Sequence, residues 1–103
     1  MSVPKLTLEE RREALQKATA ARRRRAEIKV ALKKKELSLE ELFDIANNDD
    51  AVAKMRVQTL LESMPRVGTQ RAQSIMEEIG IASSRRVRGL GDLQRAALLR
   101  YFQ

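Results

Sequence analysis

Cysteine and histidine are both missing from these 103 residues, and so is tryptophan. Without cysteine there is no disulfide and no thiolate metal site. Without histidine the commonest general base and metal ligand is gone as well. Aromatics are scarce, with Phe43, Tyr101 and Phe102 the whole set. Proline occurs only at Pro4 and Pro65, so long stretches hold nothing that breaks a helix. No apolar run approaches the ~18 residues of a membrane span, and the N-terminus lacks a secretory apolar core. A cytoplasmic chain with no membrane partner is therefore expected. At this length one small domain with a modest core is expected too.

Charge is abundant and uneven. Lysine and arginine number 21 against 14 acidic residues, giving a net charge of +7. Residues 1–35 hold 12 basic and 4 acidic side chains, residues 36–64 hold 2 and 7, and residues 65–103 hold 7 and 3. Two basic zones thus flank an acidic middle. The balance favours a polyanionic partner and suggests two contact surfaces.

Thr7-Leu8-Glu9-Glu10 reads as a capping box, and nothing interrupts a helix from there to about Lys35. Its apolar line (Ala14, Leu15, Ala18, Ala21, Ile28, Leu32) firms up only near the end. The second half is expected to dock, and the first half to project into solvent as a charged arm or to be only partly ordered. The run Arg22-Arg23-Arg24-Arg25 is compatible with a solvated face and equally with a contact that raises affinity by counterion release.

Ser38-Leu39-Glu40-Glu41 is a second capping box, and Leu39, Leu42, Phe43 and Ala46 share one helical face. Asp49 or Asp50 caps a short helix carrying Val52 and Met55. Val57, Leu60, Leu61 and Met64 repeat the buried spacing, as do Ala72, Ile75, Met76 and Ile79. Gly80 ends that helix where a left-handed residue is favoured. Asp92 is expected to cap a last helix whose core face is Leu93, Ala97, Leu98, Tyr101 and Phe102. Nothing alternates with period two, so the fold class is all-α.

Two segments carry candidate chemistry. Pro65 stops one helix, Val67 and Gly68 make a tight turn, and a new helix starts at Thr69. Its first amides, including those of Thr69 and Gln70, point outward beside Arg66 and Arg71, a ready phosphate site. Taken alone, these residues equally suit a solvated helix-turn-helix corner. The second segment, Ser84-Arg85-Arg86-Val87-Arg88-Gly89, places three arginines around one apolar anchor. Val87 is expected to point inward while the guanidinium groups fan outward onto phosphates or a narrow minor groove. Lys54 and Arg56 complete the candidate contact set.

Catalysis is not expected. There is no Ser-His or Cys-His arrangement, no phosphate loop and no ligand set for a metal, so no cofactor is expected either. A repair glycosylase would need a catalytic Lys/Asp pair or an N-terminal proline, and often a cysteine zinc finger; Pro4 is not terminal. Single-strand and most RNA modules use exposed stacking rings, and none lies in the basic segments. Double-stranded DNA is the partner these residues favour.

Val67-Gly68-x-x-x-Ala72-x-x-Ile75, then Ile79-Gly80-Ile81 and Leu90 to Leu98, resembles the helix-two-turns-helix region of ribosomal protein S thirteen. Pro4-x-Leu6-Thr7, Ala20-Ala21-Arg22-Arg23, Lys54-Met55-Arg56-Val57, Leu60 to Gly68 and Arg85 to Gly91 resemble the actinobacterial integration host factors through nearly the full length. That resemblance implies a monomeric, nucleoid-associated protein that binds duplex DNA with little sequence preference, compacts or bends it, and assists a phage recombinase in site-specific integration. It also implies DNA contacts from Pro65 to Arg71 and from Ser84 to Arg88. Arg66 stands where a Gly-hydrophobic-Gly turn has its first glycine, a departure that adds a cation. The alternative is a ribosomal RNA binder, which would be expected to carry a basic C-terminal tail where this chain has Tyr101-Phe102-Gln103. The expected organisation is a basic helical arm over residues 1–36 and a helical domain over 37–103, with its turn at 64–71 and a basic lid at 82–92.

Overall fold

The computed structural model describes residues 7–103, and the Pro4-x-Leu6 leader motif lies outside them. Six α-helices follow one another: α1 Leu8–Lys33, α2 Leu39–Ala46, α3 Asp50–Ala53, α4 Val57–Glu62, α5 Thr69–Ile79 and α6 Asp92–Tyr101. A short 3₁₀ turn, Val87–Gly89, precedes α6. Among the described residues there is no β-strand, only one isolated antiparallel bridge between Arg56 and Arg86.

Burial along α1 changes abruptly. Every residue from Thr7 to Ala20 is exposed, whereas Ile28 and Leu32 are 3% and 1% exposed. The first half therefore projects, as its thin apolar line predicts. Only the forward half of its capping box forms, with the Glu10 amide donating to Thr7 Oγ1 at 3.0 Å. At the other end the Glu36 amide reaches the Ala31 carbonyl at 2.9 Å and Lys35 adopts φ +61°, a Schellman ending with lysine in the glycine position. Long polar side chains tie this end to the rest. Arg24 donates to Asp49 at 2.8 Å, and Lys33 Nζ reaches the Glu62 and Met64 carbonyls at 3.3 and 3.2 Å. Lys33 thus supplies a donor to the Glu62 carbonyl at the C-terminus of α4 and a second one to the Met64 carbonyl just beyond it.

Asp49, not Asp50, is the α3 cap, accepting from Ala51 and Val52. Ser38 and Glu41 close a full capping box on α2. One apolar cluster runs from Ile28 to Leu98 through α2, α4 and α5, with Leu42, Val52, Val57, Leu60, Leu61, Ala72 and Val87 shut off from solvent. Gly80 ends α5 at φ +86°, where the Ile81 amide turns back to Met76 and the two side chains bury together. A residue with a Cβ would be strained there.

Helix α6 departs from expectation. Leu93, assigned to the core by its spacing, is 86% exposed, and the buried face is set by Leu98 with Leu99 and Phe102 packed against the core. Asp92 does not cap the helix. Gly91 takes that position, with its amide donating to Gln94 Oε1 at 3.1 Å, while Gln94 Nε2 donates to the Gly80 carbonyl at 3.1 Å. Gln94 needs both ends of its amide for these bonds, so it turns inward. In the first turn of α6 it is Gln94, and not Leu93, that is held against the rest of the fold.

Candidate nucleic-acid interface

The first cluster is the corner between α4 and α5. Its turn lies two positions earlier than the sequence suggests. The Val67 amide donates to the Met64 carbonyl at 3.2 Å, so Pro65 and Arg66 are the central pair. Arg66 has φ +65°, the third-position conformation that such turns ordinarily reserve for glycine. The missing glycine therefore leaves the reversal intact, because Arg66 adopts the left-handed shape itself. Val67 is only 6% exposed and anchors the corner in the core, so its side chain is not on the surface.

Gly68 is the N-cap of α5 and offers no side-chain acceptor. A Cβ built there would meet nothing within 4 Å and its φ of −90° suits any residue. Nothing inside the fold demands glycine here; its effect is to leave the amides before Ala72 bare. Gly68, Thr69, Gln70 and Arg71 are all exposed. The helix dipole adds positive potential at that end. Arg71 lies over the Tyr101 ring at 5.9 Å, and Tyr101 is 39% exposed. A half-exposed ring thus stands at the basic corner, contrary to the reading that no ring is available there. Only the pairing of residues 30 apart in sequence reveals it.

The second cluster is the lid. The Val57 amide donates to the Arg85 carbonyl at 3.0 Å and the Val87 amide to the Met55 carbonyl at 2.9 Å. These two bonds flank the Arg56–Arg86 bridge and fix the lid against the start of α4. Val87 is fully buried, the expected anchor. The guanidinium groups do not all fan out. Arg85 Nη1 folds back to the Gly89 carbonyl at 2.8 Å and Arg86 Nη1 to the Lys54 carbonyl at 2.6 Å. A Cβ on Gly89 would lie 3.0 Å from Arg85 Cδ, so glycine gives Arg85 room to fold there. Arg88 is exposed and, among the described residues, its side chain has no hydrogen-bond or ion-pair partner. Ser84 is exposed beside them, and Lys54 is drawn to Asp50 at 2.8 Å.

Lys54, Arg56, Arg85 and Arg86 are therefore one group, whereas Pro65 to Arg71 form another beyond the far end of α4. Six helical residues separate them, about 9 Å of rise. No group of three or more potential metal ligands occurs among the described residues, and no described helix is long and apolar enough to cross a membrane.

Residues 32–102 match the S13-like H2TH domain model. The chain is 51% identical over 102 residues to an integration host factor of Mycolicibacterium smegmatis, covering 99% of this chain and 97% of that protein. It is 53% identical over 102 residues to the integration host factor of Streptomyces coelicolor, covering 99% and 95%. The chain belongs to the actinobacterial integration host factor family. Among solved structures, sIHF bound to an 8-bp palindromic DNA superposes with a TM-score of 0.83 at 52% identity, covering 85% of this chain and 99% of that one.

Proposed function

We propose that this integration host factor binds double-stranded DNA as a monomer, with low sequence preference, and compacts or bends it in the nucleoid as a host factor for phage integration. One observation carries the reading: the 52%-identical neighbour sharing this fold was solved on duplex DNA. The two basic clusters support it. They lie at the two ends of the short helix α4, near enough for one duplex to meet both. The bare amides of Thr69 and Gln70 with Arg66 and Arg71 take phosphate at one end. Lys54, Arg56, Arg85 and Arg86 take it at the other, and Arg88 is the guanidinium free to enter a minor groove. Contacts to phosphate position a protein on a duplex without reading its sequence, which fits low specificity. A phage recombinase is the proposed protein partner. Binding, not catalysis, is the role these residues suit.

The test is a salt titration on duplex DNA, single-stranded DNA and structured ribosomal RNA. Tightest binding to duplex is expected, with a steep salt slope. The triple variant R85A/R86A/R88A is expected to lose about three decades of affinity, counting near tenfold for each charged contact. Duplex affinity unchanged in that variant, or preference for the RNA, overturns the reading.

A further inference from the structure

The four arginines Arg22 to Arg25 do not share one fate. Arg22 and Arg23 are exposed on α1, as a solvated arm requires. Arg24 is half-buried and occupied, holding Asp49 at 2.8 Å and Glu27 at 3.6 Å. Arg25 is half-buried as well, yet has no carboxylate partner among the described residues. It lines a cleft of about 310 Å³ together with Lys54, Arg56, Thr59 and Arg86. Three segments distant in sequence thus bring four cations to one recess with no acidic side chain in its lining; Lys54 is paired with Asp50, whereas Arg25, Arg56 and Arg86 have no carboxylate partner among the described residues.

Like charges gathered this way repel, and the repulsion grows as burial lowers the local dielectric. A side chain as long as arginine relieves it easily by turning to water, as Arg23 does two residues earlier. The recess instead has the composition of an anion site: guanidinium forks that suit phosphate oxygens, plus the Thr59 hydroxyl. We infer that Arg25 of α1 is a phosphate ligand in this cleft, holding the same DNA strand that Lys54, Arg56 and Arg86 hold from the lid side. The inference rests on the duplex-binding reading above and adds to it that the N-terminal helix supplies a side chain to the site. Ordering of α1 against the domain is then linked to binding.

The test compares full-length R25A, R25K and R23A on a short blunt duplex over a range of salt. R23A removes the same charge from the same helix outside the cleft. R25A is expected to weaken binding about tenfold near physiological salt and to flatten the log–log salt slope by about 0.9, the signature of one lost phosphate contact. R23A is expected to change affinity less than twofold. R25K is expected to keep the slope and lose part of the affinity, since a point charge replaces the fork. The double variant R25A/R56A should lose less than the product of the single losses, because both groups share one phosphate. Unchanged melting temperature in R25K and R25A confirms that folding is not the cause. R25A indistinguishable from R23A overturns the assignment while leaving the lid result standing. Failure of the R85A/R86A/R88A prediction instead removes the underlying reading. Pyrophosphate at constant ionic strength separates the sources of the phosphate. If it binds saturably, dependent on Arg25, while R25A binds duplex normally, the cleft serves a free anion and the inference fails.

Discussion

The projecting half of α1 and the lid carry three basic side chains each, Arg11, Arg12 and Lys17 beside three glutamates in the one and Arg85, Arg86 and Arg88 in the other, yet they are built in opposite ways. From Thr7 to Ala20 every side chain is exposed and nothing beneath fixes where a charge points. In the lid, a fully buried Val87 and two backbone bonds to Met55 and Val57 fix the chain that bears the arginines, and two of the three guanidinium groups are held by backbone carbonyls. Floating charge contributes attraction at long range that salt screens. Positioned charge can match individual phosphates. The difference teaches that basic composition locates a partner class, whereas buried neighbours decide which cations form a site.

The widest gap is expected in stability, between two leucines. Leu60 is fully buried and Leu15 is 66% exposed. Leu60→Ala should destabilise the fold by about 2–5 kcal/mol, a large share of what a domain of this size has. Leu15→Ala should stay within about 0.5 kcal/mol. Urea melts of the two variants check this, and comparable losses would mean that the arm packs against something in solution.

Val87→Ala sharpens the contrast without touching a charge. Two buried carbons are lost and a small cavity forms, for about 2 kcal/mol. Duplex affinity should fall as well, because the lid loses its anchor although all its arginines remain. A variant that is destabilised but binds normally would show that position in the lid matters less than charge.

Much of this was legible locally. Helix count, the Ser38 capping box, the Gly80 ending and the weak packing of the first half of α1 follow from spacing and caps. The misreadings share a cause: each depends on a partner far away in sequence. Leu93 fits a helical apolar face, but in the first turn of α6 it is Gln94, bonded to Gly80, that meets the fold while Leu93 stays exposed. Tyr101 reads as core until it is found beside Arg71. Arg85 and Arg86 read as fanned until the Gly89 and Lys54 carbonyls take one nitrogen of each. In the run Arg22 to Arg25, nothing local distinguishes the arginine that meets Asp49 from the one that enters the cleft.

Where the arm meets the domain, a smaller and pH-dependent effect is expected. Burial pushes the Asp49 carboxyl up, but the Arg24 hydrogen bond, the α3 amides and the Arg24 charge outweigh it, holding it below the ordinary 3.8. The same hydrogen bond raises Arg24. For a carboxyl lowered in the folded state, the stabilisation is complete above its unfolded value and disappears as pH falls through the folded one. Asp49→Asn keeps the α3 cap and removes only the ion pair. Both partners are partly solvated, so the loss at neutral pH should be under about 1 kcal/mol. The gap between wild type and variant should close in acid, below the ordinary carboxylate range. A gap that persists there would mean that the hydrogen-bond geometry, and not the charge, docks the arm.

Arg66 separates backbone from charge at a single residue, with the smallest expected change in stability. Its φ of +65° is uncomfortable for any side chain, by about 1–2 kcal/mol. Arg66→Ala keeps that strain and removes the cation, so stability should hardly move. Arg66→Gly removes the cation and relieves the strain, but a glycine frees the unfolded chain and returns roughly 0.5–1 kcal/mol of the gain. A net stabilisation of up to about 1 kcal/mol is expected for glycine alone. If the guanidinium meets a phosphate, both variants should flatten the salt slope equally, by about 0.9. Equal slopes with different affinities would instead assign part of the binding to the turn's backbone, since the two variants carry the same charge. Slopes unchanged in both would place Arg66 with Arg22 and Arg23, as a cation the duplex does not touch.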